Sequence, residues 1–251
     1  MTALGFLYPG HSAEDDYPRV EQLLGSDIRL TVVHTDMGED AHRVDALLEM
    51  GSAHRLAAGV EELRLSGAEA VVWACTSGSF VYGVQGAHEQ VRDLARTAGL
   101  PASSTSFAFA HAARELGARR VAIGATYPDD VAALFAGFLK ETGTEVAAVR
   151  GSGVVTAAEV AGWDYDEVLA LARAADHPDA DAILLPDTAL HTVSHLTDLE
   201  KELAKPVLTA NQVTVWEALR LTDRRVNAPA LGALFTREPI VQAEGGPALQ
   251  E

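Results

Sequence analysis

Cysteine is almost absent from this chain, which carries one, Cys75, in 251 residues. A lone thiol excludes an intrachain disulfide and any zinc or iron–sulfur centre built on cysteines. Basic residues are also scarce. Nineteen Lys and Arg stand against 36 Asp and Glu, a net charge of −17, and such a surface repels the phosphates of nucleic acid and of anionic membranes. Apolar runs are short. The stretch from Val131 to Leu139 is among the longest, about half of the ~18 residues a membrane helix needs. Met1-Thr2-Ala3 leads straight into a strand-like segment, with no basic stretch before it. The expectation is a soluble, cytoplasmic protein that handles a small molecule and has no nucleic-acid or membrane partner. With 48% hydrophobic residues, a chain of this length buries a core without covalent staples. The sequence leaves homo-oligomerisation open.

What is present is regular alternation. Strand candidates fall at Leu4–Tyr8, Arg29–His34, Ala70–Ala74, Ala102–Thr105, Arg120–Ile123, Glu145–Val149, Ala182–Leu185 and Val207–Leu208. Several are continuously apolar, as strands covered on both faces by helices are. Helical patterns lie between them: Ala41 to Leu65, Gln85 to Ala98 with Gly99 and Pro101 as its stop, and Asp129 to Lys140 with two acids in its first turn. The fold class expected is α/β, with parallel, Rossmann-like sheets. A faint internal repeat pairs the strand and turn at 5–16 with that at 121–130. It also pairs 71–79, which holds Cys75, with 183–191, which holds Asp187. The natural reading is two pseudo-symmetric halves with the site in the cleft between them. Residues 1–110 with 209–237 form one half, 111–208 the other, and 238–251 a loose tail.

Cys75 closes an apolar strand and is followed by Thr76, Ser77, Gly78 and Ser79. Ligands bind at the carboxyl ends of parallel strands. Free N–H groups and small hydroxyls there hold a carboxylate or an enolate and lower a cysteine's pKa towards a usable thiolate. The alternative is a small buried hydrophobe that merely ends a strand. Asp187 is the matching residue in the other half. It is either a general acid or base or the N-cap of a helix running from about Ala189 to Leu203. The hydroxyl of Tyr127, just past a strand end, either donates to a bound anion or belongs to an ordinary half-buried tyrosine. His191 and His195, four apart, read as two histidines on one solvated helix face, and a metal triplet with Asp187 is not expected because the HExxH pattern is missing. His11 lies in the first turn, where it can face the cleft. Phosphate loops, dinucleotide fingerprints, nucleophile elbows and Schiff-base lysines are all lacking, so neither cofactor nor metal is expected.

With those residues in hand, the chain resembles the aspartate/glutamate racemase superfamily, in the branch that holds maleate cis–trans isomerase and arylmalonate decarboxylase. The likeness rests on Tyr8-Pro9-Gly10, on Trp73 to Ser79, on Gly124 to Tyr127, on Leu184 to Thr188, and on Pro206 to Gln212 with Trp216 and Leu219 beyond, in that order. The resemblance implies two α/β halves around a cofactor-free site. Cysteine would act next to a carboxylate, and Thr76, Ser77, Tyr127 and the backbone around Thr188 would hold that carboxylate. A two-thiol racemase needs a cysteine in each half, and here the second is Asp187. The decarboxylase keeps only the second-half cysteine, whereas this chain keeps only the first. The isomerase pattern, in which the first-half thiolate adds to a double bond, suits Cys75, although that branch's first-turn asparagine corresponds here to Ser12 or His11. The expected function is therefore a cysteine-dependent isomerase of the maleate type acting on a small dicarboxylate. The alternatives are a malonate-type decarboxylase and a carboxylate-binding relative without strong activity.

Overall fold

Continuously apolar segments become continuously buried strands. In the computed structural model, which describes residues 1–25 and 27–236, two four-stranded sheets form. The first contains β1 (Thr2–Pro9), β2 (Ile28–Thr35), β3 (Ala70–Trp73) and β4 (Ala102–Ser104) in the order β2-β1-β3-β4. The second contains β5 (Arg120–Ala125), β6 (Glu145–Gly151), β7 (Ala182–Leu185) and β8 (Val207–Thr209) in the matching order β6-β5-β7-β8. Every pairing is parallel. All four residues of β3 and of β7 are buried, which is why those two segments lack the alternation of a half-exposed strand. The fold class read from the sequence is the one observed, and each of the eight strands lies where expected to within a few residues.

The helices depart from expectation in two places. The stretch 41–65 is not one helix but two, Val44–Met50 and Ala53–Leu63, broken at Gly51-Ser52, and residues 36–43 before them are a loop. No helix runs from 189 to 203 either. Residues 188–192 are irregular, Val193–His195 make a single 3₁₀ turn, and the helix itself covers only Leu196–Leu203. The Gly99 stop behaves as read: the helix Gly83–Ala98 ends with Gly99 at a φ of 67°, a left-handed position suited to glycine. The proposed tail at 238–251 lies outside the described residues. Among those described, no helix is long and apolar enough to cross a membrane.

One apolar cluster passes through both halves, joining Phe6 and Trp73 beneath the first sheet to Phe135, Ile123 and Leu184 of the second. Phe135 touches Phe80 and Phe109 with ring centroids 5.3 and 5.4 Å apart. The last α-helix among the described residues, Ala210–Leu221, follows β8 yet packs on the helix Thr105–Leu116 and on β3 and β4 of the first sheet. At that contact Glu217 is fully buried. Its carboxylate accepts from Ser103 Oγ (2.7 Å), His111 Nδ1 (3.0 Å) and Arg220 Nε (2.7 Å). Burial pushes this carboxyl up, but the hydrogen bonds and charges of Arg220 and His111 together outweigh it and hold Glu217 down at about 2.

A depressed carboxyl contributes stability that is present above its unfolded value and is lost as pH falls through its folded one. Glu217→Ala is therefore expected to cost roughly 3–5 kcal/mol, the range for breaking a buried ion pair, in urea unfolding at pH 7. The gap between the two proteins should narrow as pH is lowered from about 4.5 towards about 2.

Candidate active site

In each sheet the chain leaves its first strand towards one edge and returns to the other, so the crevice between β1 and β3, and between β5 and β7, is the switch point at which α/β sheets bind ligands. The residues just past those four strands are 10–16, 74–80, 126–128 and 186–192. A small cavity of about 30 Å³ lies where the halves meet, lined by Ser12, His42, Cys75, Ser77, Asp187 and Thr188 among others.

Cys75 sits on a braced turn. Gly78 N–H donates to its Sγ at 3.3 Å, and the Ser77 hydroxyl lies 3.7 Å from the sulfur. The Gly78 carbonyl accepts from Trp73 Nε1 (3.2 Å) and Gln90 Nε2 (2.8 Å). Ser106 Oγ donates to the Thr76 carbonyl at 2.7 Å, and Ser79 shares a hydrogen bond with Ser104 at 2.8 Å. Gly51 fits this turn because it has no side chain: a Cβ there would stand 2.1 Å from the Gly78 oxygen. The expectation of a thiol acidified by its loop is corrected. Cys75 is buried, and burial, with a smaller addition from the Asp187 charge, pushes it up to about 12 against the pull of Gly78 N–H and Ser77. It rests as a thiol.

Asp187 is likewise buried. One carboxylate oxygen accepts Ala189 N–H at 2.9 Å and the other accepts the Thr126 hydroxyl. Its capping role is therefore not that of a helix start at 189, since the helix begins at 196; it closes a turn at the strand end. Facing it is a residue the sequence reading passed over. His42 Nε2 lies 3.9 Å from Asp187 Oδ2, and both side chains are 5% exposed. His42 comes from the first half's 36–43 loop and is pinned to the second: its N–H reaches Val155 O (2.8 Å) and its Nδ1 reaches Val154 O (2.8 Å). The Asp40 carboxylate adds two more ties, from Ala157 and Ala158 N–H at 2.7 and 3.0 Å. A histidine in a loop of no regular period gives no sequence signal; only its contact with Asp187 marks it.

The first turn is held across the same boundary. Tyr8 Oη donates to the Thr188 carbonyl (2.8 Å), accepts Ala13 N–H (3.0 Å) and pairs with Ser12 Oγ (2.7 Å). Buried Asp16 accepts from Thr192 N–H, Val193 N–H and Asn211 Nδ2. Of the residues singled out from sequence, Cys75, Asp187, Ser77, Thr188 and Ser12 thus share one cavity. Thr76 and Tyr127 stand behind its wall. The Thr76 hydroxyl is buried without a partner among the described residues, and Tyr127, fully buried rather than half-buried, donates to the Pro186 carbonyl at 3.1 Å with its ring against His42. His11 does not line the cavity. It is 74% exposed and pairs with Glu14, and with His34 these two form the one group of metal-ligating type among the described residues. His191 and His195 do not share a helix face: His191 pairs with Asp15 (2.8 Å), while His195 lies on Tyr165.

The family model of arylmalonate decarboxylase matches residues 50–235. The chain belongs to that family. It is 31% identical over 194 residues to arylmalonate decarboxylase of Bordetella bronchiseptica, a match that covers 76% of this chain and 79% of the relative. It is 27% identical over 191 residues to maleate isomerase of Nocardia farcinica, covering 73% and 76%. Its fold matches, with a TM-score of 0.86 at 22% identity over 95% of this chain and 99% of the other, a cysteine-to-serine mutant of the Nocardia farcinica maleate cis–trans isomerase carrying a covalently bound succinylcysteine intermediate. The branch expected from the sequence is thus the branch found.

Two outcomes follow for this cavity and its Cys75 turn. Gly51→Ala should push the 75–80 turn aside, lowering stability by about 1–3 kcal/mol and reducing ligand binding, read by thermal unfolding with and without ligand. The thiolate absorbance near 240 nm should stay low at pH 7–9 and rise only as pH approaches about 12; a step below pH 8 contradicts the buried-thiol description.

Proposed function

We propose that this protein is a cofactor-independent, cysteine-dependent isomerase of the maleate cis–trans type, acting on a small unsaturated dicarboxylate. The observation that carries the reading is the place of the chain's one cysteine: Cys75 lies at the end of β3, on the wall of the cavity between the halves, with a carboxylate rather than a second thiol opposite. Sulfur adds to one alkene carbon, and the electron pair moves onto the other carbon and into its carboxylate. The new single bond turns, and elimination restores the thiol with the trans product. Ser12, Ser77 and Thr188, which line the cavity, would hold the substrate carboxylates. Support comes from the relatives: the Nocardia farcinica isomerase structure carries a succinylcysteine, the adduct such a mechanism forms.

A second reading is favoured by the family match itself and by the state of the thiol. A cysteine held as S–H up to about 12 is a proton donor at neutral pH, as a malonate-type decarboxylase requires once carbon dioxide has left an enediolate behind. The cavity holds about one water, so either substrate needs more room than this arrangement leaves. The acidic surface slows approach of an anion rather than weakening its binding in a dry cleft.

Proton NMR of the protein with maleate, substituted maleates and 2-substituted malonates in deuterated buffer separates the two. Fumarate-type signals that vanish in Cys75→Ser support the isomerase. Loss of carbon dioxide with deuterium placed beside the remaining carboxylate supports the decarboxylase. Turnover at wild-type rate by Cys75→Ser would falsify both.

A further inference from the structure

The proposed addition leaves a proton unaccounted for. Cys75 is a buried thiol, so as sulfur bonds to carbon its proton needs a holder inside the cavity until elimination returns it. Four other titratable side chains line that cavity: Glu39, Asp40, His42 and Asp187. Glu39 is largely exposed and tied to Arg43. Both oxygens of Asp40 are occupied by Ala157 and Ala158 N–H. Asp187 already accepts from Thr126 and Ala189. His42 is the one basic side chain in the lining, and its environment fixes which nitrogen is free.

A carbonyl can only accept, so the contact of His42 Nδ1 with the Val154 oxygen requires Nδ1 to carry a proton. Nε2 is then the basic nitrogen in the neutral ring, and it faces Asp187 Oδ2 across 3.9 Å. The remaining ionisable neighbour is Tyr127, whose ring meets the imidazole at 84° with centroids 5.0 Å apart and whose hydroxyl proton goes to Pro186. The ring is thus oriented by one bond at Nδ1, and its Nε2 is left to accept a proton with a carboxylate nearby.

We propose that His42, backed by Asp187, is the general base that takes the Cys75 proton during addition and gives it back on elimination, so that a histidine–aspartate pair does the proton work in a cavity with a single thiol. The proposal rests on the isomerase reading above. As Sγ forms its bond to an alkene carbon, the thiol proton moves to Nε2, the π pair moves to the neighbouring carbon and its carboxylate, and the single bond turns. The reverse flow expels Sγ and returns the proton. No proton is gained or lost over the cycle. The imidazolium exists only while the substrate carries the extra negative charge, and it then faces both that charge and Asp187.

The test uses His42→Asn, whose side-chain amide retains an N–H for the Val154 carbonyl but has nothing at the Nε2 position. Asp187→Asn serves as a second variant. Maleate-to-fumarate rates by proton NMR are measured from pH 6 to 10, together with the rate at which iodoacetamide modifies Cys75. The expected result is a fall in kcat of roughly a hundredfold for His42→Asn, with KM changed less than about threefold. Both rates in that variant should climb about tenfold per pH unit, because hydroxide is then the remaining base, and Asp187→Asn should show the same trend more weakly. A His42→Asn protein with wild-type kcat, or with reduced kcat but an unaltered pH profile, overturns the proposal while the isomerase reading stands. If the wild-type protein converts no maleate, that reading falls by itself and the iodoacetamide profile decides the pair: modification at least about tenfold slower at pH 7 in His42→Asn supports it, and equal rates overturn it. If His42→Asn does not fold, the Asp187→Asn pH profiles are decisive in the same sense.

Discussion

Two parallel sheets aim their carboxyl ends at each other, so the polar groups released there have no strand partner and little water, and several of them must be satisfied from the opposite half. This requirement organises the centre of the molecule. Tyr8 of β1 gives its proton to the Thr188 carbonyl, Asp16 takes the N–H groups of Thr192 and Val193, and His42 and Asp40 fasten their loop to residues 154–158. A buried group left unpaired costs about 1–3 kcal/mol. These crossed bonds therefore help the apolar cluster to fix the relative setting of the halves, and they do so around the cavity that holds Cys75.

The same dryness sets the electrostatics. In water the backbone N–H at Cys75 would favour a thiolate, but inside the cleft the loss of solvation outweighs one N–H and one hydroxyl, and the thiol stays protonated. A carboxylate as neighbour adds to that tendency. On the proposed mechanism the nucleophile must therefore be deprotonated in the act of reacting, and within the same walls lies one imidazole whose Nε2 faces a carboxylate.

Much of this was legible beforehand, for identifiable reasons. Strands such as Ala70–Trp73 and Ala182–Leu185 are buried on both faces, so their apolar runs are unambiguous, and the repeat pairing Cys75 with Asp187 reflects two sheets of identical strand order. The residues at strand ends followed: Ser12, Ser77, Asp187 and Thr188 meet at one cavity. His42 was illegible because it belongs to an irregular loop whose position is dictated by hydrogen bonds to residues more than a hundred positions away. The helix expected from Ala189 failed for a related reason. Asp187 closes a local turn and the 192–193 backbone is drawn to Asp16, so tertiary bonds override a pattern that otherwise favours a helix. The state of Cys75 was misjudged because its neighbours in sequence are polar, whereas its surroundings in space are dry.

The bond between His42 Nδ1 and Val154 has a consequence for the protection of the enzyme. Were residues 40–43 to part from the second half, the imidazole would lose the carbonyl that fixes its tautomer and the carboxylate it faces. Water would then reach the sulfur, and with its desolvation gone the Gly78 N–H and the Ser77 hydroxyl would favour the thiolate. With the loop in place, burial keeps the sulfur protonated and out of reach of passing electrophiles, so the bonds that tie residues 40–42 to the second half also guard the chain's one cysteine against chance alkylation and oxidation.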